Sequence, residues 1–218
     1  MLSILLAFSI PLAEPYTRWM YIIEFGIVAF LIIFKEQYFD KMRSRADEKV
    51  NQSRFLMEDS KVFRNGEEMT GLTWGDIEEG DVLYLEKGEK APADLLLLDT
   101  QHIEDREAIV YVDARSITGK VTVERKKACY LTQVTSRSAV KRNWDRYRKE
   151  YLSGKLKYEQ PNSNMENFLG YLKLVKDPKT SLLTFENFIS RESVIKTCWV
   201  YALVLNAGMN CKIMRHIG

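Results

Sequence analysis

The 218-residue chain has little that a metal or thiol chemistry could use: three cysteines and two histidines. Cys129, Cys198 and Cys211 form no C-x-x-C pair, so neither a disulfide framework nor a zinc site is indicated, and a reducing compartment suits them. His102 and His216 are isolated in sequence and read as surface residues. They also leave no material for a Ser/His/Asp or Cys/His catalytic set. Charge of one sign is lacking too: the net charge of +2 excludes a strong electrostatic pull toward nucleic acid. No Walker A loop is present, since Ala114 stands where that motif needs its first glycine before Gly119-Lys120.

The apolar residues are unevenly placed. Ser3–Leu12 is uncharged but only about half of the ~20 residues that a bilayer-spanning helix needs. A second run, Trp19–Phe34, is closed by Lys35 and Glu36; extended to Tyr38 and Phe39 it approaches that length. Pro11 and Pro15 break the chain between the runs, which predicts a helical membrane hairpin over 1–39. Lys35, Lys41, Arg43 and Arg45 follow the second run, so the positive-inside rule puts the bulk of the chain in the cytoplasm. Glu24 interrupts the run. It reads as part of a polar path for a lipid headgroup or as a carboxylate reaching the interface.

Residues 40–56 are charged and free of glycine and proline, which predicts a helical stalk. From Lys61 the pattern changes to short strands separated by turns. Asn65-Gly66 is a hairpin signal; Gly75, Gly80, Gly88 and Pro92 punctuate the next strands; Val82, Tyr84 and Leu95–Leu98 supply a buried face. Ile109–Ala114 is a further strand. Arg137–Leu152 is basic and helix-prone, and reads as a solvated helix or a contact for anionic lipid or acidic protein.

Several motifs in order carry a resemblance to a known family. The run Tyr111–Ala128, YVDARSITGKVTVERKKA, aligns without a gap to Y-V-E-T-A-N-L-D-G-E-T-N-L-K-V-R-Q-A of the type IV P-type ATPases, which flip phospholipids. Gly80-Asp81 and Pro92-Ala93-Asp94 match that family's G-D and P-A-D. Ile10-Pro11, Pro15, Arg18 and the segment Lys35–Asn51 match its membrane part. Glu159-Gln160-Pro161-Asn162, with Phe168 and Gly170, is similar to its E-x-P-N-x-x-x-x-x-F-x-G. Asn187, Arg191, Thr197, Trp199, Val200, Gly208, Lys212 and Met214 match its later motif.

The resemblance implies a mainly β fold: a distorted β-sandwich or jelly-roll-like actuator domain over 57–215, attached to the N-terminal hairpin and stalk. It also implies which chemistry has been lost. The catalytic D-G-E-T falls on Thr118, Gly119, Lys120 and Val121, and only the glycine is kept. In the family the glutamate polarises the water that hydrolyses an aspartyl-phosphate. A carboxylate accepts a proton from water, whereas a lysine ammonium of ordinary pKa about 10.4 cannot. The phosphorylated D-K-T-G-T occurs nowhere; Asp177–Ser181, DPKTS, imitates it but reads as a turn. The glutamine pair linked to lipid selection falls on Phe8 and Ser9, and the sequence starts partway through the first membrane helix.

The chain alone is therefore expected to be no enzyme, to need no cofactor and to bind no nucleic acid. Its expected partners are membrane lipid and a P-type ATPase or other membrane protein, which it would scaffold or regulate. The alternative is a segment of a phospholipid-translocating ATPase whose other domains lie elsewhere. Gly80, Asp81, Pro92, Ala93 and Asp94 are read as the frame of the altered loop, setting the domain against its partners or building turns and caps of the β-fold.

Overall fold

The structure is a computed structural model that describes residues 15–52, 61–69, 71–119, 123–133, 153–175, 177–197 and 199–217. It divides into two compact units, Met1–Asn51 and Gln52–Gly218. The first arm of the expected hairpin and the basic segment 137–152 lie outside the described residues.

The described part of the smaller unit is one helix, α1 (Pro15–Asn51), of 37 residues and so about 55 Å long. Pro15 opens it, at a position where its missing N–H is harmless. The helix runs without a break from the apolar stretch through the charged stalk. Five consecutive large apolar residues, Phe30–Phe34, are each at least 56% exposed. At 100° per residue they wrap the whole circumference, so this part has no polar face. Even so, among the described residues no helix is long and apolar enough to cross a membrane. The apolar stretch and the charged stalk are one continuous helix, in which ten residues separate Glu24 from Lys35.

The larger unit is built from three sheets. The six-stranded sheet has the order β11 (Phe188–Ile189), β4 (Asp94–Thr100), β13 (Val200–Asn206), β3 (Val82–Leu85), β1 (Lys61–Arg64), β2 (Glu67–Met69). All its pairings are antiparallel. The β1–β2 connection is the expected Asn65-Gly66 turn, with φ of 51° and 92°, the positive values that a two-residue hairpin favours. A second sheet joins β10 (Thr180–Leu183), β9 (Gly170–Leu174) and β8 (Gly154–Tyr158). The third centres on β6 (Glu107–Asp113), paired with β5 (Ile103–Glu104), β7 (Glu124–Lys127) and β12 (Val194–Ile195).

The six-stranded sheet buries both of its faces. Leu96, Leu98, Val82, Tyr84 and Tyr201 pack with Leu172, Leu174 and Leu183 of the three-stranded sheet. Their neighbours Leu95, Leu97, Leu83, Leu85 and Ala202 pack with Ala108, Val110 and Val112 of β6. Side chains alternate across a strand, so four leucines in a row serve two cores. The domain is thus mainly β as expected, but layered as sheet on sheet on sheet rather than as a two-sheet sandwich. Periodicity gave no sign of this, because an unbroken apolar run does not say what lies on either side.

If both faces are core, Leu96→Ala and Leu97→Ala each destabilise the domain by about 3 kcal/mol, read as equal shifts in the urea unfolding midpoint. A shift for one of the two alone would mean that one face is not packed.

Candidate functional site

The altered loop follows directly from β6. Asp113 ends the strand, Ala114 leads out of it, and the single helical turn α2 (Arg115–Thr118) stops at Gly119. Gly119 is left-handed, φ 67° and ψ −4°, and its N–H donates to the Arg115 carbonyl at 3.0 Å. A Cβ there would meet open space, so what the position demands is the backbone conformation, which glycine reaches without strain. Lys120 and Val121 lie outside the described residues. Of Thr118 the structure describes the backbone, at the last position of α2.

The base of this turn is rigid. The Asp113 carboxylate accepts from the Arg115 Nε at 2.9 Å, its terminal guanidinium nitrogen at 2.6 Å and its backbone N–H at 3.2 Å. Lys196 Nζ approaches at 3.2 Å from the segment after β12. The Arg115 side-chain bonds foremost, with its backbone N–H and Lys196, hold the Asp113 carboxyl well below the usual carboxylate range. The loop therefore stands on a strand end clamped by one anion and two cations.

The frame motifs act further away. Gly80, with φ 94°, turns the chain into β3 and donates to the Val204 carbonyl at 3.0 Å. Asp81 is buried, 1% exposed, and accepts the Arg64 guanidinium through both oxygens, at 2.9 and 2.8 Å. Arg64 also reaches Glu78 and the Asp76 carbonyl, so the Gly80-Asp81 turn is fastened to β1. Pro92 and Ala93 are buried at the entry to β4. Asp94 is fully buried. Its two oxygens accept the backbone N–H groups of Arg191, at 3.1 Å, and Lys212, at 2.7 Å. Burial pushes its carboxyl up, opposed by those two N–H groups and the charges of Lys212 and Arg191.

Lys212 opens the C-terminal helix α3 (Lys212–Ile217). It is 1% exposed. Its ammonium donates to Glu159 Oε1 at 2.6 Å, Asn162 Oδ1 at 2.7 Å, and the Asn164 and Asn167 carbonyls at 3.0 Å. Two motifs noted separately in the sequence, Glu159–Asn162 and Lys212, are thus one buried cage. Reading the sequence assigned Lys212 no role. The available signal was a matched lysine amid apolar residues, since a buried lysine requires partners. The structure brings together Asp94 with Lys212, and Asp113 with Arg115, but not the frame with the loop. Glu24 is exposed on α1, in the other unit. Of DPKTS, Asp177–Lys179 lie in the β9–β10 connection, where Asp177 accepts the Lys179 N–H at 2.9 Å, and Thr180 and Ser181 begin β10. No group of side chains that could hold a metal occurs among the described residues.

No protein-family model matches the chain. Guanylate cyclase alpha of Plasmodium falciparum is 30% identical over 95% of this chain and 5% of that protein. Phospholipid-transporting ATPase 6 of Arabidopsis thaliana is 28% identical over 93% of this chain and 15% of that protein. The chain therefore spans a small part of the length of its curated relatives. Among solved structures, a zinc-transporting PIB-type ATPase in its E2.Pi state overlaps 78% of this chain and 19% of its own, at 14% identity and a TM-score of 0.37.

Gly119→Ala is expected to lower stability by about 1 kcal/mol through backbone strain alone, while Gly119→Asn, which tolerates the left-handed region, loses less; thermal unfolding measures both. Asp113 also predicts a pH dependence. A depressed carboxylate stabilises the fold fully above the pH where unfolded aspartate titrates, about 3.9, and that contribution is lost as pH falls through the lower folded value. The stability deficit of Asp113→Asn is accordingly constant above about pH 5 and shrinks below about pH 4. Parallel curves for variant and wild type would refute the clamp.

Proposed function

We propose, from the chain's relationship over about nine-tenths of its length to phospholipid-transporting P-type ATPases, that it is the helix-and-actuator segment of such a transporter. In this reading α1 sits in or against a phospholipid membrane, with the β unit on its cytoplasmic side. The wholly apolar girth of Phe30–Phe34 supports that placement, because a helix without a polar face needs apolar surroundings. The partners are membrane phospholipid, as transported substrate, and the remaining domains of the transporter.

Within that segment the turn Arg115–Thr118 ends on a left-handed Gly119, and the sequence around it lacks the base. The observation that carries this is Gly119, left-handed at the end of a clamped turn, while Thr118, Lys120 and Val121 supply no carboxylate. A water molecule at such a loop finds no group to take its proton. The domain then transmits motion or occupies its place as a rigid body without hydrolysing a phosphoenzyme. Sequencing the transcript beyond codon 218 tests the segment reading: an open frame reaching D-K-T-G-T supports it, and an in-frame stop removes it. In the whole transporter, phosphoenzyme formed from labelled ATP is expected to persist, and the joint change Thr118→Asp, Lys120→Glu, Val121→Thr to speed its decay by at least a hundredfold, in the range typical of general-base catalysis. Rapid decay in the unchanged protein would remove the lost-base reading.

A second reading, a module that scaffolds or regulates by binding, is favoured by one observation. The same stretch is shared with a protein named guanylate cyclase alpha. A segment common to proteins named for two activities fits a module that more than one assembly uses. Stoichiometric recovery of a membrane protein with the chain supports this reading, and recovery of the chain alone counts against it.

A further inference from the structure

The outer face of the three-stranded sheet is chemically one-sided. β8, β9 and β10 contain three lysines and no carboxylate. Leu156, Leu172, Leu174 and Leu183 point into the core, and the alternate positions face out. The register sets Lys155 directly opposite Lys173, Lys157 opposite Tyr171, and Tyr171 opposite Leu182. Tyr171 is 57% exposed and Leu182 is 54% exposed. None of the three lysines has an ion-pair partner among the described residues, although the neighbouring β7 is laced with pairs to Glu104, Glu107 and Glu186.

Two like charges directly opposite on a sheet destabilise it. Lysines on an edge strand commonly guard against strand addition. That explains Lys155 and Lys157 on β8, but not Lys173, which lies on the central strand. A cationic face carrying an exposed tyrosine and leucine has a different use: the ammonium groups meet anionic headgroups while the aromatic and aliphatic side chains enter the interface.

We propose that the outer face of β8–β10 is a docking surface for an anionic phospholipid bilayer. Three exposed ammonium groups on one face, without ion-pair partners among the described residues, complement an extended array of anions, which a bilayer leaflet supplies. Tyr171 and Leu182, exposed opposite one another on this face, suit penetration of a fluid surface better than reading of a peptide sequence. Docking needs no nucleotide and no phosphorylation, so it stands or falls apart from the transport reading.

The test uses the full chain reconstituted in vesicles, and its readout is placed on the β unit so that binding through α1 does not register. An environment-sensitive dye is placed on Thr180→Cys, which is exposed on this face opposite Lys173, in a Cys198→Ser background. Phosphatidylcholine vesicles are compared with vesicles containing one-third phosphatidylserine. The expected result is a shift of the dye to an apolar environment with phosphatidylserine alone, reversed by high salt. Each lysine contributes about fivefold in partitioning, so the joint change of Lys155, Lys157 and Lys173 to Glu lowers the docked-to-undocked ratio by more than a hundredfold. The joint change to Gln gives an intermediate loss, and circular dichroism checks that both variants are folded. The salt response of the unchanged lysine face is a measurement that survives a misfolded variant. No dependence on phosphatidylserine overturns the proposal. So does an equal response to soluble polyglutamate with phosphatidylcholine vesicles, which would assign the face to an acidic protein instead.

Discussion

Asp94 stands where β4 enters the core, and its two oxygens hold segments that arrive about a hundred residues later in the chain. One oxygen fixes the turn before β12 through the Arg191 N–H. The other fixes the start of α3 through the Lys212 N–H. Removing the carboxylate strands two buried donors, each of which costs about 1–3 kcal/mol when unsatisfied. The Lys212 side chain then carries the constraint onward to Glu159, Asn162 and the carbonyls of the loop before β9. A single buried carboxylate therefore ties the ends of the central sheet to the outer sheet, alongside the Tyr158 hydroxyl of β8, which donates to the Leu205 carbonyl of β13 at 2.7 Å.

The catalytic-type loop depends on none of this. Its support is local: Asp113, Arg115 and Lys196, gathered at the end of β6. The frame is held by Asp81 with Arg64 and by Asp94 with two backbone amides. Among the described residues neither set touches the turn at Gly119, and what that turn demands is one left-handed residue.

Much of the β unit was legible in the sequence where the signal is local. Asn65-Gly66 announced its hairpin because two positive φ angles leave few alternatives. Asp177–Lys179 was readable as a turn because an aspartate side chain bonds the backbone two residues on, while Thr180 and Ser181 belong to β10. The layering was not legible: Leu95–Leu98 has the same letters whether one or both faces are covered. Nor were the partners of Asp94, since the neighbour of a buried carboxylate is decided by topology across 97 and 118 positions. Arg64 and Asp81 were equally hidden: the carboxylate was read as part of a frame, but nothing local marks which of many arginines it meets. The N-terminal apolar run has the composition of a membrane segment, and among the described residues no helix is long and apolar enough to cross a membrane.

β13 lies between β3 and β4 in the sheet, although it is the last of the strands to leave the ribosome. Until residues 200–206 emerge, β3 and β4 have no shared neighbour to pair with, and each presents an open edge and apolar side chains on two faces. The nascent domain must therefore wait in a state rich in unpaired backbone and exposed leucine, the condition that recruits chaperones and favours misassembly. Insertion of β13 then closes both edges in one event, as a keystone closes an arch, and the Asp94 latch is set only a few residues later. Completion of the domain is a matter of synthesis timing as much as of stability.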